Sequence, residues 1–138
     1  MSERILVCGG REFGSPPPFE PDGMDYQALI LKARKERELL KRVLDAAKAK
    51  YKIDCIIQGG ARGADKLAFN WAYDNNLTVH NCPADWKTHG KKAGALRNQS
   101  MLDDYNPTLV IAFAGGTGTA DMVRRSKAAG LKVIEVKL

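Results

Sequence analysis

Apolar residues in this chain come in short unbroken runs closed by glycines, and between those runs they recur at helical spacing. The clearest run lies at 109–121, LVIAFAGGTGTAD, where five apolar residues enter a turn of three glycines and two threonines. The same grammar occurs in ILVCGGREFG from Ile5 and in IDCIIQGGARGAD from Ile53. A short, wholly apolar run ending in glycines is how a buried parallel strand meets the start of a helix, where free backbone N–H groups can hold an anion. The pattern predicts strands over 5–8, 53–58, 108–114 and 133–136. A weaker strand over 77–82, diluted by Thr78, His80 and Asn81, suits a sheet edge. In 25–51, Leu29, Ala33, Leu40, Val43, Leu44, Ala47 and Tyr51 fall close to a 3.6-residue stripe with charges opposite, which predicts a long crossover helix. Further helices are predicted over 64–75, 93–104 and 120–129, with Asn75, Asn76 and Gly130 as stops. Residues 83–92, PADWKTHGKK, read as a polar loop.

Strands alternating with helices imply a mainly parallel five-stranded sheet covered on both faces, a three-layer α/β fold in one domain. If the first strand is central and the chain winds one way through the second and third, it must return across the first to place the fourth. The order is then 3-2-1-4-5. Ligands in such sheets bind outside the carboxyl ends of the strands at the reversal, here between strands one and four. Residues 11–24, REFGSPPPFEPDG and the next position, hold four of the six prolines and no periodicity. They predict an irregular excursion, either overhanging that crevice or a tolerated surface loop.

Composition narrows the picture only in places. The chain has 138 residues, 44% of them hydrophobic, enough for one core. Its apolar runs are far short of a membrane span, and its start lacks the three-part pattern of a secretory signal, so it is expected in the cytoplasm with no membrane partner. Cys8, Cys55 and Cys82 have no metal-type spacing and are expected to be buried, reduced thiols; no metal is expected. The net charge of +6 invites nucleic acid as a partner. Many of the basic residues, however, alternate with Glu36, Glu38 and Asp45 along one helix, as on a solvated face. His89 reads as a loop histidine.

Candidate chemistry gathers at the glycine turns. GGARGADKL from Gly59 and GGTGTADMV from Gly115 superpose, with the glycine pair and the Ala-Asp dipeptide in register. Gly9, Gly10, Gly59, Gly60, Gly63, Gly115, Gly116 and Gly118 let the backbone approach a phosphate or adopt positive φ, while helix starts supply N–H donors. Thr117 and Thr119 add hydroxyls, and Arg62 adds a charged donor. Asp65 and Asp121 could cap their own helices or accept hydrogen bonds from a ribose or base. Arg11 and Glu12 follow the first glycine pair and project near the switch point, as a functional pair or an exposed ion pair. Arg97, next to Asn98, borders the buried side of its helix, where a guanidinium could clamp a phosphate or pair with Asp103, Asp104 or another carboxylate.

Taken together, CGGREF, IIQGGARGADKLAFNWA, PADWKTHGKKAGALRNQSML and AGGTGTADMVRRSKAAG resemble the YspA-like branch of the SLOG superfamily, named for the SMF/DprA and LOG proteins. The resemblance implies a Rossmann-like nucleotide-binding domain. Within the superfamily, LOG enzymes are phosphoribohydrolases of nucleoside monophosphates, DprA-like members bind single-stranded DNA, and others sense nucleotide signals, some derived from NAD. In the LOG signature a proline precedes the glycines and a glutamate follows Gly-Thr. Here Gly118 and Thr119 match, but Ala114 replaces the proline and Met122 stands where the catalytic glutamate belongs. Arg97 is similar to the arginine paired with that glutamate, so the phosphate-binding half is kept and the acid is missing unless Asp121, Asp65 or Glu12 substitutes. The resemblance implies binding of a nucleotide or nucleotide-derived molecule by Gly9, Gly10, Arg11, Glu12, Gly59, Gly60, Arg62, Gly63, Asp65, Arg97, Asn98 and residues 115–119, with no cofactor. The alternatives are a LOG-like hydrolase and a DprA-like DNA-binding module. LOG-type domains also pair through helices flanking the site. Residues 86–101, without a clean solvent face, are the surface expected to form a homodimer or higher oligomer.

Overall fold

Residues along each central strand alternate between two apolar faces, and this alternation organises the molecule. The computed structural model describes residues 2–16 and 25–137. Its strands are β1 (Ser2–Cys8), β2 (Lys52–Gln58), β3 (Thr78–Asn81), β4 (Leu109–Ala112) and β5 (Lys132–Glu135), all parallel in the order β3-β2-β1-β4-β5. The helices are α1 (Tyr26–Lys50), α2 (Ala64–Asp74), α3 (Trp86–His89), α4 (Ala93–Tyr105) and α5 (Thr117–Ala128).

Ile5, Val7, Ile56, Leu109 and Ile111 turn to one face of the sheet, where α1 and α2 cover them with Leu40, Leu44, Ala68 and Trp71. Leu6, Cys8, Cys55, Ile57, Val110 and Ala112 turn to the other, against Met101 and Leu102 of α4 and Met122 of α5. Glu3 pairs with Ile53 but Arg4 with Cys55, so β2 carries one extra residue at Asp54. That bulge keeps Ile53 and Ile56 on the same face although they are three apart. The fold is the one expected, with β3 at the edge.

Element limits differ from expectation where the cause is local. Residues 83–92 are not all loop: Asp85 accepts from the Thr88 N–H at 3.1 Å and caps α3, and a 3₁₀ turn at Gly90–Lys92 leads into α4. His89 therefore ends a short helix. The last helix starts at Thr117, three residues early, because Ala120 N–H already bonds Gly116 C=O at 3.1 Å. The proline-rich segment begins in an ordered turn. Phe13 is buried with its ring 5.3 Å from that of Phe113, Gly14 N–H donates to Glu36 at 3.1 Å, and Arg37 donates to Gly14 C=O at 2.8 Å. Its expected overhang, at 17–24, lies outside the described residues. Cys8 and Cys55 are buried free thiols, whereas Cys82 is only half-buried, as an edge position allows. No helix among the described residues is long and apolar enough to cross a membrane.

Candidate functional site

Beyond β1 the chain passes to α1 on one face of the sheet, and beyond β4 it passes to α5 on the other, so a crevice opens where the two strands part. Its walls come from glycine turns locked to one another. Phe113 N–H donates to Cys8 C=O at 2.8 Å, Gly10 N–H to Ala114 C=O at 2.9 Å, and Ala64 N–H to Gly10 C=O at 3.1 Å. Only glycine permits this approach: at Gly63, with φ +78, a Cβ would stand 2.2 Å from the Gly10 carbonyl oxygen. Side chains at Gly9 and Gly115 would likewise meet protein. These glycines build the wall by packing.

The opening has a volume of about 740 Å³, and its lining includes Gly9, Gly10, Arg11, Gly59, Asp65, Arg97, Asn98, Gly116, Thr117, Gly118 and Thr119. Glu12, Gly60, Arg62, Gly63 and Gly115 stand off that surface. Glu12 forms an ion pair with Arg62 rather than with Arg11. The guanidinium of Arg11 instead lies over the indole of Trp86, 5.4 Å from the ring centre. Also on the lining are Trp86, Lys91 and Gly94, which the sequence assigns to the pairing surface and not to the ligand, and Arg124. Lys91 and Arg124 were masked by the scatter of basic residues, while PADWKTHGKK had no period to mark its faces. Four cations, Arg11, Lys91, Arg97 and Arg124, face two carboxylates, Asp65 and Asp121. The surplus of positive charge favours an anion.

Arg97 ties α4 to the ends of β2 and β3. Its Nη1 donates to Gly59 C=O at 2.5 Å and to Cys82 C=O at 3.4 Å, and its Nε donates to Asn98 Oδ1 at 3.1 Å. Neither Asp103 nor Asp104 takes it. A Cβ on Gly59 would stand 2.4 Å from Arg97 Nη1 and 2.9 Å from Asp65 Oδ2, so this glycine makes room for those two side chains. Burial pushes the Asp65 carboxyl above its ordinary range, against the pull of the Ala61 N–H and the Arg97 charge; burial also pulls Arg97 down.

Neither aspartate caps its helix by a side-chain bond to the leading amides. Asp65 accepts from the Ala61 N–H at 3.2 Å, in the turn before α2. Asp121 accepts from Asn98 Nδ2 at 3.0 Å and Arg125 Nε at 2.8 Å, and pairs with Arg124. The α5 amino end therefore keeps the Thr117, Gly118 and Thr119 amides free of intrahelical and capping bonds. A Cβ at Gly116 or Gly118 would meet nothing within 4 Å. Gly116 has φ −98, so its worth there is space and not a left-handed backbone.

Met122, 1% exposed, packs into the floor with Cys8, whose thiol burial and the nearby Asp65 push up to about 12. An inert thiol and a thioether offer no proton at neutral pH. Of the carboxylates considered as substitutes for a missing acid, Asp121 is tied to arginines and Glu12 is off the crevice. Asp65 alone is both buried and on the lining. No group of side chains among the described residues has a metal-binding arrangement.

Three comparisons bear on this geometry. Residues 3–89, from β1 through α3, match the family described as YspA, cpYpsA-related SLOG. Over 86 residues, 57% of this chain and 68% of the relative, the sequence is 41% identical to the Gene 61 protein of Mycobacterium phage D29. The X-ray structure of TM1055, a structural genomics target, superposes with a TM-score of 0.60 at 20% identity, covering 94% of this chain and 72% of that one, which establishes the Rossmann-like fold. With most of the chain matched and the glycine turns in place, the protein belongs to the YspA, cpYpsA-related SLOG family.

Proposed function

We propose that this protein binds a nucleotide or nucleotide-derived small molecule, such as an NAD-derived or cyclic signal, in the β1/β4 crevice, and acts as a cytoplasmic sensor or sequestering protein. The observation that carries this reading is the α5 amino end, where three amides and two unobstructed glycines open on a crevice richer in cations than in carboxylates. Family membership supports it. Gly116→Val tests it: the branched side chain enters the empty space in front of the amides and abolishes nucleotide binding, while the fold, with no neighbour within 4 Å, survives. Normal nucleotide binding by a folded Gly116→Val protein would overturn the cradle. Native mass spectrometry of protein purified without refolding gives the mass of any co-purified ligand.

A second reading, an N-glycoside hydrolase, has Asp65 in its favour, as a buried carboxyl of raised pKa beside Arg97. Release of free base from nucleoside monophosphates, proportional to protein and lost in Asp65→Asn, would establish it over simple binding.

A further inference from the structure

Trp86 has no role in the reading above, yet it is half-exposed, 48%, inside the crevice mouth. An indole so exposed on a four-residue helix is held by two contacts. On one side lies α4: a Cβ on Gly94 would be 3.4 Å from the indole Cη2, so the ring edge rests on the first turn of that helix. The other is the Arg11 guanidinium, which lies over the ring 5.4 Å from its centre. Arg11 belongs to the turn after β1, so this contact joins that turn to α3 on the crevice lining.

The face of α4 sets the distance from this stack to the anion end. Gly94 supports Trp86, and Asn98, four residues on, donates from Nδ2 to Gly118 C=O at 3.1 Å in the first turn of α5. The offset along α4 is about one helical turn, roughly 5–6 Å. Arg97 lies between. The crevice thus has a cationic end with free amides and an aromatic end with a cation over the ring, the two held by residues about one turn apart on α4. A nucleoside phosphate has the matching polarity, with a phosphate at one end, a sugar between, and a flat π-system at the other.

Building on the nucleotide reading, we infer that Trp86 is the base platform of the crevice: the nucleobase joins the Arg11–Trp86 stack while the phosphate lies at the amino end of α5. Stacking against an aromatic ring tolerates any base, because each presents a π-face. Trp86 then supplies affinity for the base as a class, and choice among bases falls to other groups.

The test titrates the four common nucleoside 5′-monophosphates and ribose 5-phosphate into the wild type, Trp86→Leu and Trp86→Tyr by calorimetry. Leucine keeps apolar cover on Gly94 without a π-face, and tyrosine restores the π-face. The expected result is that Trp86→Leu loses between about 5- and 140-fold in affinity for the nucleotides, the range of one lost base stack, with ribose 5-phosphate unchanged. Trp86→Tyr recovers most of the loss. In a Trp71→Phe background, which leaves Trp86 as the sole indole, the nucleotides alter its emission and ribose 5-phosphate does not. If Trp86→Leu weakens nucleotides and ribose 5-phosphate equally, Trp86 only props α4 and the inference falls, while nucleotide binding stands. It falls in the same way if Trp86→Leu changes neither affinity. Should the wild type bind none of the five compounds, this inference falls, whereas the broader reading is decided by the mass of any co-purified ligand and by Gly116→Val.

Discussion

Gly63 and Gly118 look alike in the sequence and do opposite things in the fold. A methyl at Gly63 would be driven into the Gly10 and Arg11 carbonyls at φ +78, so Gly63→Ala is expected to cost about 3 kcal/mol or more in urea unfolding, from strain and overpacking together. Gly118 sits in the first turn of α5 with open space around its Cα, and Gly118→Ala should change stability by no more than about 1 kcal/mol, on the stabilising side, from helix propensity. The turns themselves were legible from paired glycines after apolar runs. Which glycine faces protein and which faces the crevice was not, because that depends on the turn brought against it. Arg97 shows the same limit. Its place on the buried border of its helix could be read from Ala93 and Met101, although Leu96, the third apolar mark, is exposed, and its acceptors, the carbonyls of Gly59 and Cys82, are 38 and 15 residues away. Ligand-free stability should therefore fall by about 1–3 kcal/mol in Arg97→Ala, since buried acceptors lose their donor.

At the scale of elements, α4 and α5 are latched by polar contacts where they border the crevice. Asn98 donates to Gly118 C=O and to Asp121, Arg125 pairs with Asp121, and Arg125 Nη1 donates to Gln99 Oε1 at 3.0 Å. Burial alone would raise the Asp121 carboxyl, but the Arg125 and Asn98 hydrogen bonds and the two arginine charges outweigh it and leave the pKa below its ordinary value of 3.8. A carboxylate whose pKa is lower folded than unfolded contributes stability that is complete above the unfolded value and is lost as pH falls through the folded one. Asp121→Asn should thus be less stable than wild type by about 1–2 kcal/mol at neutral pH, with the difference closing below about pH 3.8 in acid unfolding curves. A pH-independent difference would show that shape and not charge holds the latch. Strand and helix existence followed from periodicity, whereas α3 escaped it: four residues are too few for a period, and only the Asp85 cap marks its start.

For the whole molecule, the pairing expected of 86–101 remains a proposal, and the structure lends it one feature: Leu96, 46% exposed, stands out on α4 clear of the crevice lining. Light scattering at micromolar concentration should report about twice the 15.2 kDa chain mass, and Leu96→Asp should return it to that of a single chain. A strictly monomeric wild type would leave Leu96 an ordinary surface residue. The sequence by itself determined the α/β alternation and, once the first strand is taken as central, the strand order and the end of the sheet at which a ligand would sit. Apolar runs, helical stripes and glycine stops are local signals, and few topologies satisfy them together. Tertiary structure alone decided which chemistry shares the crevice. Asp65 and Arg97 flank Gly59, Arg11 lies over Trp86 and Glu12 pairs with Arg62 because turns far apart in the chain close on one another at the sheet's reversal, and no pattern confined to one segment carries the distance between two.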